Sequence, residues 1–202
     1  MLNLNDEAIK EDGNGKNFDP SKIFGFSVIE NDEIVDTVDN VRITEFKIDK
    51  NDKGGNYFDI VLQDENGNTT NLREYEPDAT RSDFESKKKS QLTRLKHLVT
   101  KYTPEGTQLP QANTFPELWA GVRDLLGQNN CRSTPMRLKL VFNDKGYLTV
   151  PKYVPYLESM TVPKTESKLK LDRGFDNLIK SKPDTMKSSS AEQAGDTDEL
   201  PF

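Results

Sequence analysis

Val41-Arg42-Ile43-Thr44-Glu45-Phe46-Lys47-Ile48, Asn56-Tyr57-Phe58-Asp59-Ile60-Val61-Leu62-Gln63 and Thr69-Thr70-Asn71-Leu72-Arg73-Glu74-Tyr75 are three alternating stretches separated by turn-forming residues. An apolar side chain at every second position marks a strand with one buried face. In the first stretch Val41 and Ile43 share one parity, whereas Phe46 and Ile48 share the other. A change of parity at Thr44-Glu45 is how the added residue of a β-bulge shows in a sequence. In the second stretch Phe58, Ile60 and Leu62 face inward, which turns Tyr57 outward. In the third, Leu72 faces inward while Arg73 and Tyr75 face out. The connections, Asp49 to Gly55 and Asp64-Glu65-Asn66-Gly67-Asn68, carry Gly-Gly and Asn-Gly hairpin signals. The three strands therefore read as a meander.

Helical spacing follows. Ser82 or Asp83 can cap a helix to about Lys101, with Phe84, Leu92, Leu95, Leu98 and Val99 as its apolar stripe and His97 on its surface. Thr114 can cap a second helix, with Pro116 in its first turn and Leu118, Trp119, Val122, Leu125 and Leu126 inward. Met136 to Phe142 alternates again, which places Arg137 and Lys139 outward, and Asn143 to Gly146 turns the chain into Tyr147–Tyr153. Pro155 and Pro163 take the stretch from Val154 to Pro163 out of the sheet. The order β-β-β-α-β-β resembles that of the OB-fold. The expected fold is thus mainly β with inserted helices: an OB-fold-like five-stranded barrel with an enlarged helical interval and flexible termini. An α+β sandwich with the same order is the competitor. The expected divisions are a flexible arm over 1–19, the domain over 20–163, a basic segment over 164–182 and an acidic tail over 183–202.

Composition narrows the chemistry. The chain has 202 residues, a hydrophobic share of 33%, one His, one Cys and a net charge of -6. A single Cys excludes an intrachain disulfide, and one His with one Cys excludes a zinc site of the Cys/His type within one chain. There is no GxxxxGK[ST] phosphate loop and no recognisable catalytic spacing of carboxylates, so no enzyme, cofactor or metal is expected. No run approaches the ~18 apolar residues of a membrane span, and Met1 to Glu7 lack a signal-peptide pattern. The expected location is cytoplasmic. Charge is unevenly spread. Residues 1–80 hold 8 basic and 19 acidic side chains, residues 81–102 hold 7 and 2, and residues 132–182 hold 11 and 5. Two basic blocks in an acidic chain can serve a polyanion if folding brings them onto one face.

The stretch Asp196-Thr197-Asp198-Glu199-Leu200-Pro201-Phe202 follows a linker rich in Ser, Ala and Gly. An acidic run leading into Leu-Pro-Phe resembles the tail of bacterial single-stranded DNA-binding proteins and their phage analogues. That resemblance implies sequence-independent binding of single-stranded DNA during replication, recombination and repair. It also implies that Asp196, Asp198, Glu199, Leu200, Pro201 and Phe202 recruit polymerase-, helicase- or primase-type proteins, and that the acidic tail can compete with DNA for the domain. Such binding needs cations along the backbone path and aromatic faces for bases. The outward set supplies Arg42, Lys47, Tyr57, Arg73, Tyr75, Arg137, Lys139, Tyr147, Lys152 and Tyr153, with Lys87-Lys88-Lys89 as an extension of the track. The alternatives are a carboxylate–metal nuclease and a structural or interaction protein of a phage that does not bind DNA.

Overall fold

A computed structural model describes residues 28–180. The arm expected over 1–19, the tail expected over 183–202 and the six tip residues from Asp196 to Phe202 lie outside the described residues. The meander forms as the alternation implies: β3 (Val38–Lys50), β4 (Asn56–Gln63) and β5 (Thr69–Tyr75), preceded by the short hairpin β1 (Ile29–Glu30) and β2 (Glu33–Ile34). The register of β3 on β4 shifts between Ile43 and Glu45, where the parity changes. At the β4–β5 turn the Asp64 carboxylate accepts from the backbone N–H of Asn66 and Asn68 at 2.9 Å. Gly67 takes φ +85° there, a left-handed conformation that a side chain disfavours.

Two helices follow, α1 (Phe84–Tyr102) and α2 (Phe115–Gln128). The Thr114 hydroxyl accepts from Glu117 N–H at 3.4 Å and caps α2. Asp83 precedes α1 without capping it and pairs with Lys87 at 2.9 Å instead. α2 packs on the inner face of β3 and β4, where the Trp119 ring stacks 6.0 Å from Phe58. Val41, Ile43, Phe58, Ile60, Leu62, Leu98, Leu126, Met136 and Leu138 complete this core. Burial contributes roughly 1.5–3 kcal/mol for each large apolar side chain. α1 departs from its expected stripe: Leu92 is exposed, and Gln91 and Arg94 are buried instead. Arg94 Nε donates to the Glu74 carboxylate at 2.6 Å, and Gln91 donates to the same carboxylate at 3.2 Å. Glu74 sits on the inner face of β5, so the helix meets the sheet there through a charge pair.

The second half of the fold corrects the sequence reading. The stretch expected as one strand to Phe142 divides into β6 (Met136–Leu138) and β7 (Val141–Phe142), and β7 pairs with β8 (Leu148–Thr149). The fifth strand of the main sheet is β9 (Leu157–Ser159), inside the stretch expected to leave it. Pro155 and Pro163 flank this edge strand and interrupt none of its pairing. The sheet runs antiparallel in the order β5-β4-β3-β6-β9. β3 pairs with β4 along its second half and with β6 along its first, with a register shift in each pairing. β8 packs near β5, but no ladder joins them, so among the described residues the sheet is not closed into a barrel. The chain is a β-rich fold with a five-stranded antiparallel sheet and two helices.

The described part of the basic segment after residue 163 is a strap bound to the rest of the fold. Leu169 and Leu178 are buried. Ile34 N–H donates to Leu178 O and Phe142 N–H to Asn177 O, both at 2.8 Å, and Lys180 N–H donates to Asp32 O at 2.9 Å.

Candidate functional site

The strap decides which part of the sheet stays open. The stretch Met136 to Phe142 was expected to turn Arg137 and Lys139 outward, yet every residue of it is buried. Arg137, 4% exposed, lies opposite Glu158 in the β6–β9 register. It donates to Glu158 at 2.9 Å, to Asp39 at 2.7 Å and to Val162 O at 3.2 Å. Burial opposes the charged form of Glu158, but hydrogen bonds from Ser167 and Arg137 outweigh it and hold the carboxyl below its usual range. Lys139 is equally committed: Nζ donates to Lys170 O at 2.8 Å and pairs with the buried Asp176 carboxylate at 2.6 Å. Arg137 and Lys139 are therefore internal ties and leave the outward set. A strictly alternating strand gives no sign of this, because the cover comes from residues further along the chain.

The outer face of β3, β4 and β5 has no such cover. Strand register places Tyr57 opposite Tyr75 and Asp59 opposite Arg73, with Lys47 opposite Asp59 on the other side. The two tyrosine rings lie 6.1 Å apart at 53°. The Arg73 guanidinium sits 4.8 Å from the Tyr57 ring centre, and Lys47 Nζ 5.9 Å from it. Covered on three sides, Tyr57 is 9% exposed, whereas Tyr75 is 51% exposed. Asp59 fixes the arrangement from below. Its Oδ2 accepts from Arg73 at 2.5 Å and from Asn71 at 2.8 Å. This hydrogen bond, stronger in effect than the guanidinium's partial burial, raises the Arg73 pKa above its ordinary value. Lys47 also pairs with Asp49 at 3.2 Å, and its ammonium is held above its usual range first by Asp49 and then by Tyr57. Four of the ten expected DNA-binding residues thus meet on one open face. Asp59 and Asn71, which orient Arg73, escaped the sequence reading. The cross-strand register is the signal that links them.

The other expected residues do not join this cluster. Arg42 is half-buried on β3 near the bulge. Tyr147, 55% exposed, sits in the β7–β8 turn. Lys152 is exposed, and its carbonyl accepts from Arg94 at 3.0 Å. Tyr153 hydrogen-bonds through its hydroxyl to Asp176. Of the lysine run, Lys87 pairs with Asp83 at 2.9 Å and Lys88 reaches Glu85 at 3.8 Å, so it behaves as a paired helix surface. His97 leaves the helix surface too. It is half-buried, and its Nε2 accepts from Leu157 N–H at 3.3 Å.

No protein-family model and no curated protein sequence matches the chain.

Within the described residues no group of three or more His, Cys, Asp or Glu side chains is placed to hold a metal ion. No helix among them is long and apolar enough to cross a membrane. The open face offers one exposed aromatic ring, a second ring behind it and two cations within reach of that second ring. Such a surface can stack a planar group and neutralise an anion beside it.

Proposed function

We propose that this chain binds single-stranded DNA without sequence preference through the outer face of β4 and β5, in replication, recombination or repair. The observation that carries the reading is the Lys47–Tyr57–Tyr75–Arg73 assembly. Aromatic faces accept any base, and cations beside them accept the phosphates that every nucleotide carries. In OB-folds the face of the second and third strands binds oligonucleotides, and in this chain β3 pairs with both β4 and β6. The acidic segment from Asp196 to Phe202 belongs to the same proposal as the part that recruits replication or repair proteins. Its carboxylates repel phosphate, and Leu200 with Phe202 supplies an apolar anchor suited to a basic pocket on a partner.

Binding of labelled oligo(dT) across a salt series tests the first part. Affinity should fall as salt rises, with a slope of about 0.7 per phosphate neutralised. Tyr75→Ala should weaken binding by about 5- to 150-fold, the equivalent of ~1–3 kcal/mol for a stacked base. Equal affinity for duplex DNA, or an unaltered Tyr75→Ala variant, would refute it. Removal of Phe202 should abolish partner capture and spare oligo(dT) binding; retained capture would refute the second part.

A further inference from the structure

The turn that precedes the end of the strap presents Phe175 to solvent at 69% exposure, more than any other large hydrophobic side chain among the described residues. A flexible turn could expose a ring by accident, but this one is tied at several points. Asp172 Oδ1 accepts from Gly174 N–H at 2.8 Å. Its carbonyl accepts from Phe175 N–H at 3.1 Å and from Asp176 N–H at 2.6 Å. The Asp176 carboxylate returns the bond by accepting from Asp172 N–H at 2.8 Å. That carboxylate is fully buried and paired with the equally buried Lys139. Burying two charges is costly unless they are paired, and here the pair anchors a turn whose tip is an exposed aromatic ring.

Among the described residues the ring has one aromatic neighbour. Tyr153 meets it edge-on at 4.8 Å and 71°, and the Tyr153 hydroxyl is held by Asp176. Phe175 therefore has its edge supported by a fixed ring while most of its surface faces water. The flanking strap side chains Lys170 and Arg173 are exposed cations, and Arg173 pairs with Glu33. An exposed, immobilised aromatic ring in a basic segment has the chemistry to stack an unpaired nucleobase whose phosphates meet the neighbouring cations. We infer that Phe175, supported by Tyr153 and the Asp176–Lys139 pair, is a second base-stacking site for single-stranded nucleic acid, apart from the β4–β5 face. The inference rests on the single-strand binding proposed above and adds a residue and a surface to it.

The test uses the full chain and oligo(dT) that is long enough to saturate wild-type affinity. Phe175→Ala should weaken binding by about 5- to 150-fold, Phe175→Trp should restore it, and both should melt with the wild type because the ring is exposed. Photocrosslinking of 5-iododeoxyuridine-substituted oligonucleotide, mapped by mass spectrometry, should mark the Phe175–Tyr153 turn. Wild-type binding with Phe175→Ala unaffected would overturn this inference alone and leave the β4–β5 reading in place. No wild-type binding would overturn both. Loss of self-association in Phe175→Ala, with DNA affinity unchanged, would overturn it in favour of a contact with a second copy.

Discussion

At the scale of single residues, His97 shows how position in a helix fails to fix a side chain's role. Its Nε2 accepts from the backbone N–H groups of Tyr156 at 3.4 Å and Leu157 at 3.3 Å, and its ring meets Tyr156 at 4.9 Å. Protonation would turn that acceptor into a donor facing two donors. Burial first, then the Lys101 charge, lowers the His97 pKa to about 4 from 6.5. The unfolded chain thus binds a proton that the folded chain refuses between those values. The contribution of His97 is fully present above pH 6.5 and is lost as pH falls toward 4, with a slope below the ~1.4 kcal/mol per pH unit of one whole proton because the ring is only partly buried. Urea midpoints at pH 7, 6 and 5 should decline in the wild type and decline less in His97→Gln, which keeps an acceptor but does not titrate. Parallel declines would show that the ring is not the titrating group. The sequence around His97 could not show this, since helical spacing specifies a direction around the axis and not what arrives there, and here β9 arrives from far along the chain.

Among the elements, what was legible follows the range of the contacts. β3, β4 and β5 are joined by short turns whose Asn, Asp and Gly residues set the register, so the inward and outward sets and the bulge could be read from alternation, whereas the cluster of Tyr57, Arg73 and Tyr75 follows only from the cross-strand register. β6 and β9 are three residues each, and the β7–β8 hairpin lies between them; alternation marks β6, but no local pattern announces β9 or its pairing. Their join depends on Arg137 instead. Arg137→Ala would leave Glu158, itself 5% exposed, with its main cation removed. Breaking one side of a buried pair costs about 3–5 kcal/mol. The double variant Arg137→Met with Glu158→Leu should lose less than the sum of the single changes, a coupling that equilibrium denaturation of the four proteins in the cycle would measure. A second test at this scale lies in α2. A Cβ placed on Gly121 would meet Pro110 Cβ at 2.8 Å, so Gly121→Ala, though favourable for an isolated helix, should destabilise the protein by about 1–3 kcal/mol through overpacking.

Over the whole molecule, the strap from Lys164 to Lys180 separates a covered half of the sheet from an open one, and so determines where a ligand can reach. It does this with little apolar surface: Leu169 and Leu178 are its buried hydrophobic side chains, and backbone bonds to Ile34, Phe142 and Asp32 with ties to Lys139 and Glu158 supply the rest. Its basic composition leaves open whether it is bound or solvated, because a sequence cannot show that Asp176 and the Lys170 carbonyl are taken by Lys139. Two truncations separate these views. A chain ending at Lys182 keeps every one of these contacts and should melt as the full chain does, since residues 183–202 offer almost no apolar side chains before Leu200. A chain ending at Pro163 loses the burial of two leucines, roughly 1.5–3 kcal/mol each, and the backbone bonds from Ile34 and Phe142 to the strap, while Lys139 loses its Asp176 partner and becomes exposed to water. Together these losses are comparable with the lower end of the ~5–15 kcal/mol that holds a typical domain folded. Circular dichroism melts should therefore show a cooperative transition for the first truncation and none, or one strongly lowered, for the second. An unshifted melt in the chain ending at Pro163 would mean that the strap is peripheral, and that the outer face of β6 is open to a ligand after all.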